Sequence, residues 1–578
     1  MCSDVTRNQT SFLGGHDWIY EVEKLRPYYF PICRVEILLL TEGSLDFSTA
    51  STGLSSVVAA LASEPFGPHI WPRLTTAHRS NFVTDIAAGK DNPHVARFIK
   101  GFRFDDPTHF APGMYDQVWL FGRNESGGTG DAPSGWSNTL AAQELRLIAE
   151  FMTATGSFAG REPGGVFATG DHGSIGAGLC GFVPRVRTMR RWFAGTGPFG
   201  NPGAPGMRDP ERNDTNRNPT DPSLPTMVDT QSDAVPQTIE PSYYYRPRSR
   251  WASTRYPHPL LCGRSGAITI LPDHPHEGEC RLPYETDRTL SFDGASFEEW
   301  PAPLAGPAGT RLMPEIIAES TVIAGTRSGA KEPAASQRFG AICAYDGDKA
   351  GVGRVVTDAT WHHFVNMNVW GFPGFPGSIS DPTSIYGKVT DYWRNIAKWL
   401  SPPAKRRCIR RAALWYTVWN DLLVESIGDG SMIYVEKAPI KIIHELGHLT
   451  RLVIARDFGP CDELLFTLPL QEKFVFPELR WPFNPWIPPV IPRPRPMPDP
   501  LPWLDTEAIL DIAVGGAMAA LREAFPIPDP AVRDKASEVM DEIMERGAAI
   551  ALSRAAPGME QEAKRLTSIA RGLRGTRK

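Results

Sequence analysis

Cysteine is scarce and scattered: eight in 578 residues, at positions 2, 33, 180, 262, 280, 343, 408 and 461, with no CxxC pair. Reduced thiols are expected from that pattern. Excess charge is also small, −5 at neutral pH, which argues against a general binder of nucleic acid or anionic membranes. Only the end, Lys564–Lys578, is locally basic. No window of about 20 apolar residues occurs. The longest apolar stretch, Ile509–Leu521, is interrupted by Asp511 and holds two glycines. The opening MCSDVTRNQTSFLGG lacks the charged-then-apolar layout of a signal peptide. Together these absences predict a cytoplasmic protein without membrane attachment. GxSxG is missing as well, so nothing marks an activated serine.

What is present is an ordinary globular composition, 41% apolar and 22% charged, long enough for a core that needs no disulfide staples. Apolar runs at Arg34–Leu40, Tyr115–Gly122 and Gly165–Thr169 read as buried strands, with a weaker candidate at Phe102–Phe104. A helix over Thr139–Thr155 separates the last two strong runs, stopping at Gly156. Strand–helix–strand alternation predicts a parallel sheet with crossover helices. Further strands are expected at Ala267–Leu271, Glu315–Ala324, Phe339–Tyr345 and Arg354–Thr357, the last two as a hairpin on the sheet edge. Helices are expected over Thr383–Leu400, with Asp381 as N-cap and Pro382 leading, and over Lys405–Glu425, Pro439–Asp457 and Asp505–Gly572.

The domain reading is an arm over 1–33, an α/β domain over 34–400 and a helical region over 401–475. A proline-rich strap follows over 476–503, then a helical end over 504–578. Residues 195–250, dense in Pro, Gly, Asn and Asp, form an insertion that serves either as a lid or as a plain surface loop. The strap is extended, and reads as a spacer or as a ligand for a proline-recognising partner.

Chemistry gathers where strands end. Gly165–Thr169 runs into Asp171 and His172, and Arg354–Thr357 runs into Asp358, Trp361, His362 and His363. Ala267–Leu271 runs into Asp273, His274, His276 and Glu277. Groups past the carboxyl ends of parallel strands line the ligand crevice of an open α/β sheet, so one shared site is expected. Asp171, His172, His362 and His363 are its catalytic candidates, through Asp–His pairing that orients a general base. Glu42, Ser174, Arg187 and Trp361 are the candidate substrate contacts. Arg187 belongs to a strip with Arg185, Arg190, Arg191 and Trp192, read either as a grip for an anionic or sugar substrate or as a solvated face. A divalent metal, Zn²⁺ or Mn²⁺, is a candidate cofactor, held by His274, His276, Asp171 and His172. Separately, His444-Glu445-Leu446-Gly447-His448 matches the HExxH of zinc proteases. Its two histidines lie on a polar stripe with Lys441 and Arg451, and HxxGxxH does not follow, so a solvated helix face competes with that reading.

The segments RVEILLL, YDQVWLFG, GGVFATGDHG and GRVVTDATWHHF, with the helix YWRNIAKWL, resemble the class I glutamine amidotransferase-like fold, and within it the ThuA-like (trehalose utilisation) branch, over about 34–400. The resemblance implies a flavodoxin-like parallel sheet with its site at the elbow after Gly165–Thr169. It favours His172 and His362 or His363 as site residues, and a hydrolase or carbohydrate-modifying enzyme acting on a small molecule. Asp171-His172 stand where amidotransferases carry a cysteine, which argues against glutamine hydrolysis. The alternatives are a non-catalytic ligand-binding or scaffold protein and a zinc metalloprotease using His444, Glu445 and His448.

Overall fold

The computed structural model describes residues 33–62, 70–92, 95–123, 140–171, 175–192, 216–217, 225–226, 237–249, 252–272, 278–283, 285–304, 309–322, 337–370, 383–418, 420, 434–459, 463, 467, 470, 506–525 and 530–575. The arm, the proline-rich strap and most of the insertion lie outside them.

Nine strands form the central sheet: β1 (Cys33–Thr41), β2 (Ile70–His78), β3 (Val95–Lys100), β4 (Gln117–Phe121), β5 (Gly165–Thr169), β6 (Glu240–Pro241), β7 (Glu315–Val322), β8 (Gln337–Tyr345) and β9 (Val355–Asp358). Their order is β3-β2-β1-β4-β5-β9-β8-β7-β6. From β3 to β9 every pairing is parallel, and β8, β7 and β6 continue antiparallel. Without β3, the parallel strands have the 2-1-3-4-5 order of flavodoxin-like sheets. With β3 they have the 3-2-1-4-5-6 order of dinucleotide-binding sheets. Strand order alone therefore supports the α/β class and leaves both kinships open.

Alternation along β1 builds two cores. Val35, Ile37 and Leu39 face one side with Trp119, Phe167 and Val356, while Leu38 and Leu40 face the other with Val118, Val166 and Val355. Each aliphatic side chain fully buried there stabilises the fold by roughly 1.5–3 kcal/mol. The first face is covered by α1 (Ser55–Ala62) and by Val389, Trp393 and Ile396 of a later helix, the second by α2 (Ala142–Thr153). That later helix, α3 (Ile385–Leu400), starts at Ser384, whose Oγ accepts the Gly387 N–H at 2.9 Å. Ser384 is thus the cap expected at Asp381, which lies outside the described residues.

Four C-terminal helices join the first core: α4 (Pro403–Val418), α5 (Ile440–Asp457), α6 (Thr506–Ala524) and α7 (Pro530–Gly575). No helix among the described residues is long and apolar enough to cross a membrane.

Several sequence expectations need correction. β2, β3 and α1 were not anticipated, and Phe102–Phe104 is a buried aromatic turn rather than a strand. The hairpin of β8 and β9 lies inside the sheet, because β9 pairs with β5 and β7 pairs with β8. Ala267–Leu271 contributes only two-residue bridges outside the central sheet. The thiols are not all reduced: Cys33 and Cys408 form a disulfide with Cα atoms 5.9 Å apart, joining β1 to α4. Cys262 is also disulfide-bonded. Disulfides persist in oxidising compartments, so the cysteine argument for a cytoplasmic protein falls away.

Candidate functional site

The chain leaves β1 for β2 and β3 on one side and returns to β4 on the other. Ligands of open α/β sheets bind outside the carboxyl ends of the strands at such a reversal. Glu42 follows β1 there. It is buried, and its Oε1 accepts the Arg123 N–H at 3.2 Å from the loop after β4.

Next along this edge is the turn after β5. The Asp171 N–H donates to the Ile175 carbonyl at 3.1 Å. Gly176, at φ 94°, then presses on Gly122: a Cβ on Gly122 would lie 2.4 Å from the Gly176 Cα. Backbone contact at this elbow requires glycine on both sides. After β9 the chain turns back, and the Trp361 N–H donates to the Gly170 carbonyl at 2.8 Å. Asn366 fastens this returning segment to the loop after β1, its Nδ2 donating to Ser48 and Ala50 carbonyls and its Oδ1 accepting the Ser56 N–H.

The connection brings Asp171 and His362 together. His362 Nε2 lies 3.4 Å from Asp171 Oδ2, and His362 Nδ1 lies 2.9 Å from Asn368 Oδ1. The Trp361 indole stacks on the imidazole with centroids 4.0 Å apart. Asp171 and His362 thus form a pair built from two neighbouring strands, with one ring nitrogen held by an amide and the other facing a carboxylate.

His363 belongs elsewhere. Its Nδ1 meets the Asp358 carboxylate at 3.0 Å, and that carboxylate also accepts Tyr392 Oη–H at 2.8 Å and the Thr360 N–H at 3.2 Å. The His363 and Asp358 side chains are 0% exposed. Burial, reinforced by Asp358, holds the Tyr392 phenol far above its ordinary pKa. This trio fastens α3 to β9.

The arginine strip is neither a solvated face nor open to a substrate, because all four side chains are buried. Arg187 pairs with Glu299 at 2.5 Å, and Arg191 with Glu279 at 3.1 Å. Arg190 donates to the carbonyls of Asp358 and Ala359, clamping the end of β9. Cys180 lies in the short helix Ala177–Cys180, and burial, reinforced by Glu42, pushes its thiol well above the ordinary range. His172, Ser174, His274 and His276 lie outside the described residues. Sequence reasoning missed Asn368, Asn366 and Glu299, none of which sits in a motif.

In the HExxH segment, Glu445 is half exposed and meets Lys441 at 3.7 Å. His448 Nδ1 is 3.3 Å and His444 Nε2 3.8 Å from Asp511 Oδ2, while Arg451 Nη1 takes the other Asp511 oxygen at 2.7 Å. Among the described residues no group of three or more His, Cys, Asp or Glu side chains is placed to hold a metal ion. Comparison with profiles of known protein families, with curated proteins and with solved structures finds no match for this chain.

Proposed function

We propose that the chain is a hydrolase-like enzyme of ThuA-like type. In this reading it acts on a small hydroxylated substrate such as a sugar, with Asp171 and His362 as its proton-transfer pair. The observation that carries the reading is the paired geometry: Asp171 Oδ2 at 3.4 Å from His362 Nε2, with Nδ1 held by Asn368. With Nδ1–H donated to the amide oxygen, Nε2 is the nitrogen that exchanges a proton, and Asp171 is the group it exchanges with. Location supports this, since the pair lies at the carboxyl edge of the parallel strands, two strands along from the reversal. Glu42 brings another buried carboxylate to the same edge. The buried Trp361 indole N–H, which no acceptor among the described residues reaches, offers a donor to a substrate hydroxyl beside the imidazole. Thiolate chemistry on glutamine is disfavoured, because Cys180 is buried in a helix with its pKa raised. No step here is routed through a metal.

The test is hydrolysis of a panel of nitrophenyl glycosides by the purified protein and by Asp171→Asn and His362→Gln variants. Expected is turnover of at least one glycoside, reduced about 10²–10⁴-fold in both variants. Turnover that survives both changes overturns the assignment. Sugar binding without turnover by the wild type overturns the enzyme reading in favour of a ligand-binding protein. Casein cleavage abolished by His444→Ala does so in favour of a protease.

A further inference from the structure

Away from the sheet's carboxyl edge, Arg185 is placed in a way its surroundings do not balance. It is 1% exposed and adopts φ 69°, a conformation rare for a residue with a side chain. Positions of that kind persist where the surrounding structure over-determines them. The cause here is Glu299, itself fully buried. Its Oε1 accepts the Arg185 N–H and the Thr188 hydroxyl, both at 3.2 Å, and its Oε2 takes the Arg187 guanidinium at 2.5 Å. The carboxylate is thereby used on the Arg185 main chain and on Arg187.

The Arg185 guanidinium receives little from it. Among the described residues its side chain makes one hydrogen bond, from Nη1 to the Glu299 main-chain carbonyl at 3.4 Å, and Nε and Nη2 have no acceptor. The group instead lies over the Tyr345 ring, 5.7 Å from its centroid, and Tyr345 packs edge-on against Trp300 at 5.1 Å. Tyr345 Oη and Trp300 Nε1 are buried and likewise lack an acceptor among the described residues. One contiguous cluster therefore holds a buried cation and four unused donor atoms, with no carboxylate hydrogen-bonded to that cation's side chain among the described residues. A buried charge requires a partner, and buried donors require acceptors.

We infer that Arg185, Trp300 and Tyr345 bind a small inorganic anion of halide size, with chloride as the physiological occupant. An anion supplies acceptor capacity and a negative charge together, which matches what the cluster lacks. Near-complete burial of all three residues restricts the occupant to something small. Cation–π contact with Tyr345 only partly compensates Arg185, since an aromatic quadrupole is weaker than a full countercharge. The ion would hold the segment that carries Arg185 and Arg190, and with it the end of β9.

The experiment is crystallisation of the whole chain in bromide, with anomalous scattering measured at the bromine edge. Expected is a bromide peak within hydrogen-bonding reach of Arg185 Nε or Nη2. An ordered water there, or no density, overturns the proposal. In parallel, thermal unfolding is followed as chloride is replaced by gluconate at constant ionic strength. Expected is a lower Tm for the wild type without chloride, and no chloride dependence for Tyr345→Phe or Trp300→Phe. A wild-type Tm indifferent to chloride counts against the site, as does a chloride effect that persists in both variants.

Discussion

His362 and His363 are adjacent in the chain and face carboxylates at different strand ends, His362 facing Asp171 after β5 and His363 facing Asp358 at the end of β9. Their substitutions should separate accordingly. His363→Ala takes one of three partners from the fully buried Asp358 carboxylate, which keeps the Tyr392 hydroxyl and the Thr360 N–H, a loss of about 1–3 kcal/mol. His362→Ala removes the hydrogen bond to Asn368, worth about 1 kcal/mol. Urea unfolding of the two variants measures the difference. Equal losses would show that both histidines are structural.

Asn368 Oδ1 lies against one ring nitrogen of His362. Nitrogen NMR of labelled protein should find the wild-type imidazole protonated at Nδ1, the atom 2.9 Å from Asn368 Oδ1. Asn368→Leu removes the acceptor and should move population toward the other tautomer. Asn368→Asp should preserve the wild-type signature. An unchanged spectrum in the leucine variant means that Asn368 does not orient the ring.

The described cysteines divide into bonded and buried. Peptide mapping under non-reducing conditions should recover a linked pair containing Cys33 and Cys408. Reduction should lower stability by about 2–5 kcal/mol, since the bond closes most of the chain into one loop. Cys180, Cys280 and Cys343 are buried, and burial pushes the Cys280 thiol up to about 12. These three should resist an alkylating reagent until the protein unfolds. Rapid labelling of Cys33 in the native, unreduced protein would contradict the disulfide.

Legibility followed burial on both faces. β1, β4, β5 and β9 are nearly continuous apolar runs because helices cover both sides of the sheet, and such runs stand out in a sequence. β2 reads IWPRLTTAH, with Trp71 half exposed and polar residues within it, so no run announces it. Asp171 and His362 were legible because they end visible strands. Their partners were not, since an amide oxygen such as that of Asn368 gains a role only through three-dimensional placement. The arginine strip misled for the same reason: its carboxylate, Glu299, lies more than a hundred residues away.

The HExxH pattern shows how packing can imitate chemistry. Its glycine, Gly447, is where α5 meets α6: a Cβ there would fall 1.7 Å from the Asp511 carbonyl oxygen, and one on Gly515 would fall 1.8 Å from the Ile443 carbonyl oxygen. Gly447→Ala should therefore force the helices apart and destabilise by roughly 1–3 kcal/mol or more. His444→Ala and His448→Ala should each cost under about 1 kcal/mol, because their contacts with Asp511 are partly solvated. Denaturant midpoints of the three variants check the order. A histidine variant more damaging than the glycine variant would restore a special role to the motif.

Acid sensitivity should trace to His258. Its ring is buried edge-on against Trp399 at 5.3 Å, and its Nδ1 accepts the Leu260 N–H at 3.3 Å. Burial outweighs the nearby Asp346 and, with Arg354 and Lys349, pushes its pKa down to about 3. The unfolded chain has the ordinary value near ~6.5. Above that value neither state is protonated, and the residue leaves stability unchanged. Below it the unfolded chain binds a proton that the native state refuses, so stability falls as pH drops from about 6.5 toward 3, by ~1.4 kcal/mol per pH unit once well below the upper value. His78, its pKa also lowered by burial, adds to the same trend. His258→Asn keeps an acceptor for the Leu260 N–H and removes the titration. Between pH 7.5 and pH 5 the wild type should lose roughly 2 kcal/mol more than this variant in urea unfolding. Equal losses would mean that His258 is protonated in the folded protein, and that the acid response arises at other groups.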